Sequence, residues 1–236
     1  MGRVMRSMSR GVLERPPGAG VDEGVVVKVC GITCAQDAWV SVEAGVDALG
    51  FNAWRGSRRW VDVAAASPWI RELPPGVCRI ALFVDAPLEE ALATSAVPGI
   101  DAVQFHGNES REYLEAFSIR SNLPILRAVR LHGENTLAAL DQVGSANVLL
   151  DAAVSGAFGG TGVAVDWGLA RRAVDTFPQL RIFLAGGLTP ENVGEAVAAV
   201  RPFAVDVASG VESGTPGRKD AGKVRAFVRA AKQARI

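Results

Sequence analysis

The sequence is short of cysteine, of net charge and of long apolar runs, and each shortage excludes a class of protein. Three cysteines are too few, and odd in number, for a disulfide framework, which favours a reducing, cytoplasmic setting. Lys+Arg and Asp+Glu are equal at 25 each, so no overall field attracts nucleic acid or an anionic membrane. Apolar runs are broken by Asp, Gly or Pro every few residues, so no membrane span is expected.

What the sequence does contain is enough apolar material for a large core. Hydrophobic residues make up 49% of its 236 residues, and α/β barrels commonly use a chain of this length as one domain. Residues 1–24 differ, because they combine several arginines with a pair of prolines and show no periodicity. We expect them to be a flexible N-terminal extension, either a loose tail or an organelle transit peptide, ahead of a single domain over 25–236.

Short apolar runs alternate with segments of helical spacing along the whole domain. Continuous apolar strands separated by crossover helices are typical of a parallel sheet that is buried on both faces. Eight such units predict one closed (β/α)8 barrel, a TIM barrel, because a doubly wound sheet usually has about five or six strands. The predicted strands are VVVKVCG (25–31), ALGFNA (48–53), VCRIALFV (77–84), AVQFHG (102–107), PILRAVRL (124–131), NVLLDAA (147–153), RIFLAGG (181–187) and AVDVASG (204–210).

The carboxyl ends of barrel strands surround one mouth, where enzymes of this fold carry their chemistry. Polar or small residues stand at all the predicted strand ends. We expect them to face one shared mouth: Cys30, Asn52, Asp85, His106, Arg130, Asp151, Gly186, Gly187, Ser209 and Gly210. In addition, Thr189 before Pro190 predicts that the helix after the seventh strand begins at that proline.

Motifs at several strand ends match one known family in order and in spacing. They are KVCGIT, VQFHG, LLDA followed by GGTG, LAGGLTPENV, and RPFAVDVASGVE with PGRKD. From about Val27 to Lys232 the chain therefore resembles the phosphoribosylanthranilate isomerase family. The resemblance implies an Amadori rearrangement in tryptophan biosynthesis, which converts N-(5-phosphoribosyl)anthranilate to 1-(2-carboxyphenylamino)-1-deoxyribulose 5-phosphate. It also implies a small phosphorylated aminosugar as ligand, no metal, no cofactor, and a monomer or homodimer.

The acid and base that this reaction needs can be compared with the residues at the strand ends. Opening the furanose needs an acid that protonates the ring oxygen, and the resulting iminium needs a base that removes the C2 proton. The resemblance implies Cys30 as the base and Asp151 as the acid. Lys28, two residues before Cys30, is predicted on the same strand face, where its charge would favour the thiolate. Cys34 and Cys78 are interpreted as structural thiols, and no metal pair is predicted.

The loops after the seventh and eighth strands are the expected phosphate site. Barrels of this type bind phosphate with backbone N–H groups, and glycine lets the backbone approach the ligand closely. We predict phosphate binding by Gly186, Gly187, Ser209 and Gly210.

The loop after the second strand is the expected site for the anthranilate carboxylate. The resemblance implies Arg59 as its ligand, because a guanidinium can grip a carboxylate with two hydrogen bonds. Arg55 and Arg58 are alternatives on the same loop. This loop also departs from the family, which usually carries a Tyr-Pro-Lys-Ser type of segment where this chain has Trp-Arg-Gly-Ser at 54–57.

His106 and Asp206 also match family positions and are expected to contact or orient the substrate. The glycine-rich segment 156–162 is interpreted as a mobile lid over the mouth. Two alternatives stay open. One is a sister barrel isomerase of histidine biosynthesis, which typically pairs two aspartates and shows a half-barrel repeat. The other is a non-catalytic, phosphate-binding barrel.

Overall fold

A computed structural model describes residues 11–14, 24–152 and 165–234, and its centre is a closed barrel of parallel strands. Each strand pairs with its neighbours in chain order, and β8 returns to β1. The predicted TIM barrel and all eight predicted strands are confirmed. The strands are β1 (Val26–Cys30), β2 (Ala48–Asn52), β3 (Cys78–Phe83), β4 (Ala102–Phe105), β5 (Ile125–Leu131), β6 (Asn147–Ala152), β7 (Arg181–Leu184) and β8 (Ala204–Val207).

α-Helices cover the outside of the barrel, except the first, which lies at its bottom. They are α1 (Gly11–Glu14), α2 (Ala35–Glu43), α3 (Val63–Ile70), α4 (Leu88–Ser95), α5 (Arg111–Arg120), α6 (Glu134–Ala138), α7 (Trp167–Thr176), α8 (Val193–Val200) and α9 (Ala221–Gln233). Several begin at an Asp or Ser whose side chain accepts a hydrogen bond from a backbone N–H of the first turn. These capping residues are Asp62, Ser110, Asp166 and Asp220.

The start of α8 differs from the prediction. The helix begins at Val193, three residues after Pro190. The cause lies in the side chain of Asn192, which accepts a hydrogen bond from the Thr189 N–H and donates another to the Gly187 carbonyl. This clamp holds the intervening residues in a turn, so the helix cannot start at the proline. The clamp also fixes the shape of the loop that follows β7.

The core has an outer and an inner part. The outer part lies between strands and helices, and α8 contributes Val193, Ala196, Val197 and Val200 to it at helical spacing. The inner part fills the lower half of the barrel. Its members are buried apolar residues that include Val26, Ile80, Leu126, Leu149, Phe183 and Phe203. Because this packing closes the barrel from below, a ligand can enter only at the carboxyl ends of the strands.

The N-terminal extension, which the sequence predicts to be flexible, contains one described helical turn. α1 is a single turn, and Val12 and Leu13 are buried in the inner cluster at the bottom of the barrel. The two apolar side chains explain this contact, because they cover inner-cluster surface that would otherwise meet water. The other residues of 1–23, and the predicted lid at 156–162, lie outside the described residues. In the part of the chain that is described, no helix is long and apolar enough to cross a membrane.

The pairing of the first and last strands places two charges in the middle of the barrel. In the register of β1 with β8, Lys28 is paired with Asp206. The Lys28 Nζ lies 2.8 Å from an Asp206 carboxylate oxygen, and the lysine is fully buried. This ion pair lies one layer below the strand ends. It therefore forms part of the floor on which any ligand in the mouth would rest.

Candidate active site

A cavity opens at the carboxyl ends of the strands, and we call it the mouth cavity. It gathers most of the predicted site residues: Cys30, Asn52, Arg59, His106, Asp151, Gly186, Gly187, Asp206 and Ser209 all line it. Three predicted members, Asp85, Arg130 and Gly210, are not among the residues that line it. The Asp85 carboxylate accepts hydrogen bonds from the main chain and side chain of Asn108, and Arg130 lines a separate groove beside β5. Position at a strand end therefore predicted more residues at the mouth cavity than the structure places there.

Cys30 ends β1 beside the second strand. A Cβ atom on Gly50 would stand 2.8 Å from the Cys30 sulfur, so glycine is needed there to leave room for the thiol. Burial raises the pKa of the Cys30 thiol, and the nearby positive charge of Lys28 acts in the opposite direction. The predicted help from Lys28 is thus present, but burial outweighs it. The free thiol is held mainly in its protonated form.

Lys28 keeps its charge because of its partner. Burial alone would lower the pKa of this lysine, but the carboxylate of Asp206 and the neighbouring Cys30 together offset that effect and the pKa is raised. Lys28 is therefore an ammonium beneath the thiol. A fixed positive charge in a buried place favours a nearby negative charge, which here means a thiolate at Cys30.

Asp151 lies on β6 and is joined to the fourth strand through His106. The Nε2 atom of His106 lies 3.2 Å from an Asp151 carboxylate oxygen, and its Nδ1 atom lies 3.0 Å from the Gln104 side-chain nitrogen. Asp151 and His106 are both mostly buried. The row Gln104–His106–Asp151 fixes the direction of the carboxyl group. The same two contacts fix the orientation of the His106 ring in the mouth cavity.

Arg59 reaches the mouth cavity from the loop after β2. Its Nε and Nη2 atoms donate to the two carboxylate oxygens of Glu212 at 2.7 and 2.9 Å. This pairing raises the pKa of Arg59. Of the three arginines on the loop, only Arg59 lines the mouth cavity, because Arg55 lies over the Trp60 ring and Arg58 is exposed. The guanidinium keeps its Nη1 atom for a further acceptor.

Glu212 and Lys219 form the support behind Arg59. Burial would raise the pKa of Glu212, but hydrogen bonds from Arg59 and from the Gly217 N–H hold it below its ordinary value. Lys219 has no exposed side-chain surface, and burial lowers its pKa. Its Nζ donates to the Ala208 carbonyl at 3.0 Å. These contacts tie the loop after β8 to the loop that carries Arg59.

The loops after β7 and β8 meet at the opposite side of the mouth cavity. A Cβ atom on Gly210 would stand 2.0 Å from the Leu188 carbonyl oxygen, so only glycine fits where the two loops touch. Gly210 itself is not among the lining residues, unlike Gly187 and Ser209. In the described chain, the backbone N–H groups of Gly187, Ser209 and Gly210 donate no hydrogen bond. Free N–H groups on close-packed loops suit an anion.

Several residues of the site were missed by sequence reasoning. Gln104 lines the floor of the mouth cavity, and Trp54 packs beside Cys30, Leu82 and Val84 at its rim. An aromatic residue just after a strand was a usable signal for Trp54. The signal for Gln104 was its place two residues before His106, which puts both side chains on the same face of the strand. Among the described residues, no group of His, Cys, Asp or Glu side chains is arranged to hold a metal ion.

Comparison with known proteins agrees with this geometry. A family model described as N-(5'phosphoribosyl)anthranilate (PRA) isomerase matches residues 27–230. The N-(5'-phosphoribosyl)anthranilate isomerase of Geobacter sp. (strain M21) is 48% identical over 207 residues, which is 88% of this chain and 98% of the relative. That of Pseudomonas putida (strain GB-1) is 45% identical over 209 residues, which is 88% and 97% respectively.

Solved structures give the same result. The phosphoribosyl anthranilate isomerase of Thermotoga maritima is 38% identical with a TM-score of 0.79, and the match covers 88% of this chain and 98% of that one. A phosphoribosyl anthranilate isomerase in complex with reduced 1-(o-carboxyphenylamino)-1-deoxyribulose 5-phosphate is 37% identical with a TM-score of 0.76, at the same coverage. Since the family model spans most of the barrel and the relatives match over nearly their whole length, the chain belongs to the N-(5'-phosphoribosyl)anthranilate isomerase family.

Proposed function

We propose that this chain catalyses the Amadori rearrangement of N-(5'-phosphoribosyl)anthranilate in tryptophan biosynthesis. The observation that carries the proposal is the placement of Cys30 and Asp151 in one cavity. The two loops with free backbone N–H groups and the Arg59 guanidinium border the same space. A sugar with an anionic group at each end matches this arrangement.

Asp151 is the general acid in this proposal. It protonates the furanose ring oxygen, the C1–O bond breaks, and the anilino nitrogen supplies the electron pair for the iminium. His106 supports the role because its Nε2 lies 3.2 Å from one Asp151 oxygen and steadies the carboxyl group. Asp151 becomes a carboxylate when the ring opens.

Cys30 is the general base. It takes the proton from C2 of the iminium, and the C–H electrons form the enolamine, which tautomerises to the ketone. Burial raises the pKa of the thiol, so the base needs positive charge nearby to act. Lys28 supplies one such charge below it, and the iminium formed by Asp151 supplies a second. The acid step therefore prepares the base step, since the new cation stabilises the thiolate.

The two ends of the substrate are held by different means. The free N–H groups of Gly187, Ser209 and Gly210 bind the phosphate, together with Gly186 on the same loop. Arg59 binds the anthranilate carboxylate with the part of its guanidinium that Glu212 leaves free. Asp206 contacts the sugar or amine from the cavity floor, with its charge already balanced by Lys28.

The alternatives fit less well. A sister isomerase of histidine biosynthesis would be expected to place an aspartate where this chain has Cys30. A silent phosphate-binding barrel has no need for a buried thiol and a carboxyl group that border one cavity. We also propose that the chain works in the cytoplasm as a monomer or homodimer. The free state of Cys30, Cys34 and Cys78 is consistent with a reducing compartment.

A fluorescence assay with freshly prepared phosphoribosylanthranilate tests the function. We expect turnover by the wild-type protein and a loss of about 10²–10⁴-fold in kcat for Cys30→Ala and for Asp151→Asn, the usual contribution of one acid or base. Both variants should still bind reduced 1-(o-carboxyphenylamino)-1-deoxyribulose 5-phosphate. Cys34→Ala is the matched control and should keep wild-type turnover. No turnover by the wild type would reject the function, and full activity in either site variant would reject its assigned role.

A further inference from the structure

Gln104 has a buried oxygen without a partner. The residue lies on β4, has no exposed surface and lines the floor of the mouth cavity. Its side-chain nitrogen lies 3.0 Å from Nδ1 of His106. Its side-chain oxygen Oε1 has no hydrogen-bond partner among the described residues. Leaving a buried amide oxygen unpaired is unfavourable, so this atom needs an explanation.

The neighbouring groups fix which way the amide points. Nε2 of His106 faces one oxygen of the Asp151 carboxyl group at 3.2 Å, and this oxygen is an acceptor when the acid proton lies on the other oxygen. The His106 tautomer that fits both contacts donates through Nε2 and accepts through Nδ1. Gln104 can donate that bond only through its side-chain nitrogen. The side-chain oxygen of Gln104 therefore faces away from His106.

We propose that Gln104 is a substrate-binding residue whose Oε1 accepts a hydrogen bond from the aminosugar. This inference rests on the proposed function, which places such a ligand in the mouth cavity. The donors and acceptors of the ligand show which of its groups can bind Oε1. At neutral pH its carboxylate is an acceptor only, and its phosphate acts as one, whereas the sugar hydroxyls and the anilino N–H are donors. Gln104 therefore binds the central part of the substrate, between Cys30 and Asp151.

The same arrangement gives Gln104 a role in specificity. A site with a buried acceptor discriminates against ligands that lack the matching donor, because that acceptor then stays unpaired. Anions that merely fit the phosphate loops gain nothing from Gln104. The amide also links recognition to catalysis, since the group that holds His106, and through it Asp151, is the one that contacts the sugar.

Calorimetric titration with reduced 1-(o-carboxyphenylamino)-1-deoxyribulose 5-phosphate tests the proposal. Gln104→Met keeps the length of the side chain and removes the acceptor. We expect its Kd to rise about tenfold, the loss of roughly one hydrogen bond. Competitive inhibition by inorganic phosphate should not change, because phosphate does not reach the amide. Gln142→Met is the matched control, since Gln142 is an exposed glutamine outside the mouth cavity, and its Kd should equal that of the wild type.

A wild-type Kd for Gln104→Met would overturn the proposal, as would an equal loss of phosphate inhibition. Gln104→Leu provides a second apolar variant and should behave like Gln104→Met. Both should keep a cooperative thermal transition, because the one side-chain hydrogen bond that they remove, from Gln104 to Nδ1 of His106, contributes less than the usual free energy of unfolding. Failure of both variants to fold would show that the amide serves the fold, which also contradicts the proposal. Turnover by the wild type is measured alongside, so a failure of the isomerase function itself is detected separately.

Discussion

Single residues of the site were predictable where their chemistry is unusual for their position. A thiol and a carboxyl group at the ends of apolar strands are uncommon, and both Cys30 and Asp151 border the mouth cavity as expected. What the sequence could not give is the balance of charges around them. The effect of Lys28 on Cys30 depends on depth in the barrel, and burial proved the larger influence on the thiol. Gln104 was missed although it lies two residues before His106 on the same strand face, because its partners become visible only in the fold.

The buried thiol of Cys78 predicts a loss of stability in alkali. Burial raises the pKa of Cys78 far above that of an exposed thiol, so the folded protein keeps a proton that the unfolded chain releases. A raised pKa in the folded state stabilises the fold below the unfolded pKa, and this contribution is lost as pH rises above about 9. Each such thiol should lower the free energy of unfolding by about 1.4 kcal/mol per pH unit in that range.

Urea unfolding between pH 8 and about 10.5, with a reductant present, measures this slope. Cys78→Ala should show a shallower decline than the wild type, whatever its stability at neutral pH. Cys34→Ala, which removes a partly exposed thiol, is the control and should keep the wild-type slope. Identical slopes in all three proteins would contradict the prediction.

At the scale of elements, the presence of a strand or helix was easier to predict than the residue at which it begins or ends. All eight strands were found because their apolar runs are separated by clear helical segments. The start of α8 was wrong because the Asn192 side chain competes for the backbone groups of the preceding loop. Such a clamp depends on how the loop packs. The close approach of the loops after β7 and β8 is likewise a three-dimensional fact, although the glycines that allow it were visible.

The contact between those two loops supports a test of the phosphate site. Gly210→Ala places a methyl group 2.0 Å from the Leu188 carbonyl, where it cannot fit without moving one loop. We expect the loops to separate and inhibition by inorganic phosphate to weaken by about tenfold or more, since charged hydrogen bonds depend steeply on geometry. Gly76→Ala is the control, because a Cβ at Gly76 would meet nothing within 4 Å. Unchanged phosphate inhibition in Gly210→Ala would argue against these loops as the phosphate site.

At the scale of the whole molecule, the closed barrel follows from the count and order of its units, and the sequence predicted it correctly. The sequence did not predict that residues before the barrel pack against its apolar bottom. α1 is too short to stand out as a helix from its pattern, and its turn is ordered because Val12 and Leu13 meet the apolar bottom of the barrel. Long-range burial of this kind leaves little trace in local sequence.

Leu13→Ala tests the value of that bottom contact. The leucine is 2% exposed, so we expect the variant to lose roughly 2 kcal/mol of unfolding free energy, the usual effect of removing a buried leucine side chain at a site that can partly collapse. Turnover at 25 °C should be unchanged, because the mouth cavity lies at the other end. Ile119→Ala, at a residue that is 85% exposed, serves as the control and should stay within about 0.5 kcal/mol. Equal stability in the two variants would mean that α1 does not hold the barrel.

The ion pair between Lys28 and Asp206 joins the beginning of the barrel to its end. During synthesis the lysine leaves the ribosome long before its aspartate exists. Burying the Lys28 ammonium without its carboxylate partner costs several kcal/mol. A chain that lacks Asp206 is therefore disfavoured from folding around this side chain. We therefore expect the ring to close only after β8 has been made, and a chain truncated before Asp206 to be cleaved by protease faster than the full chain.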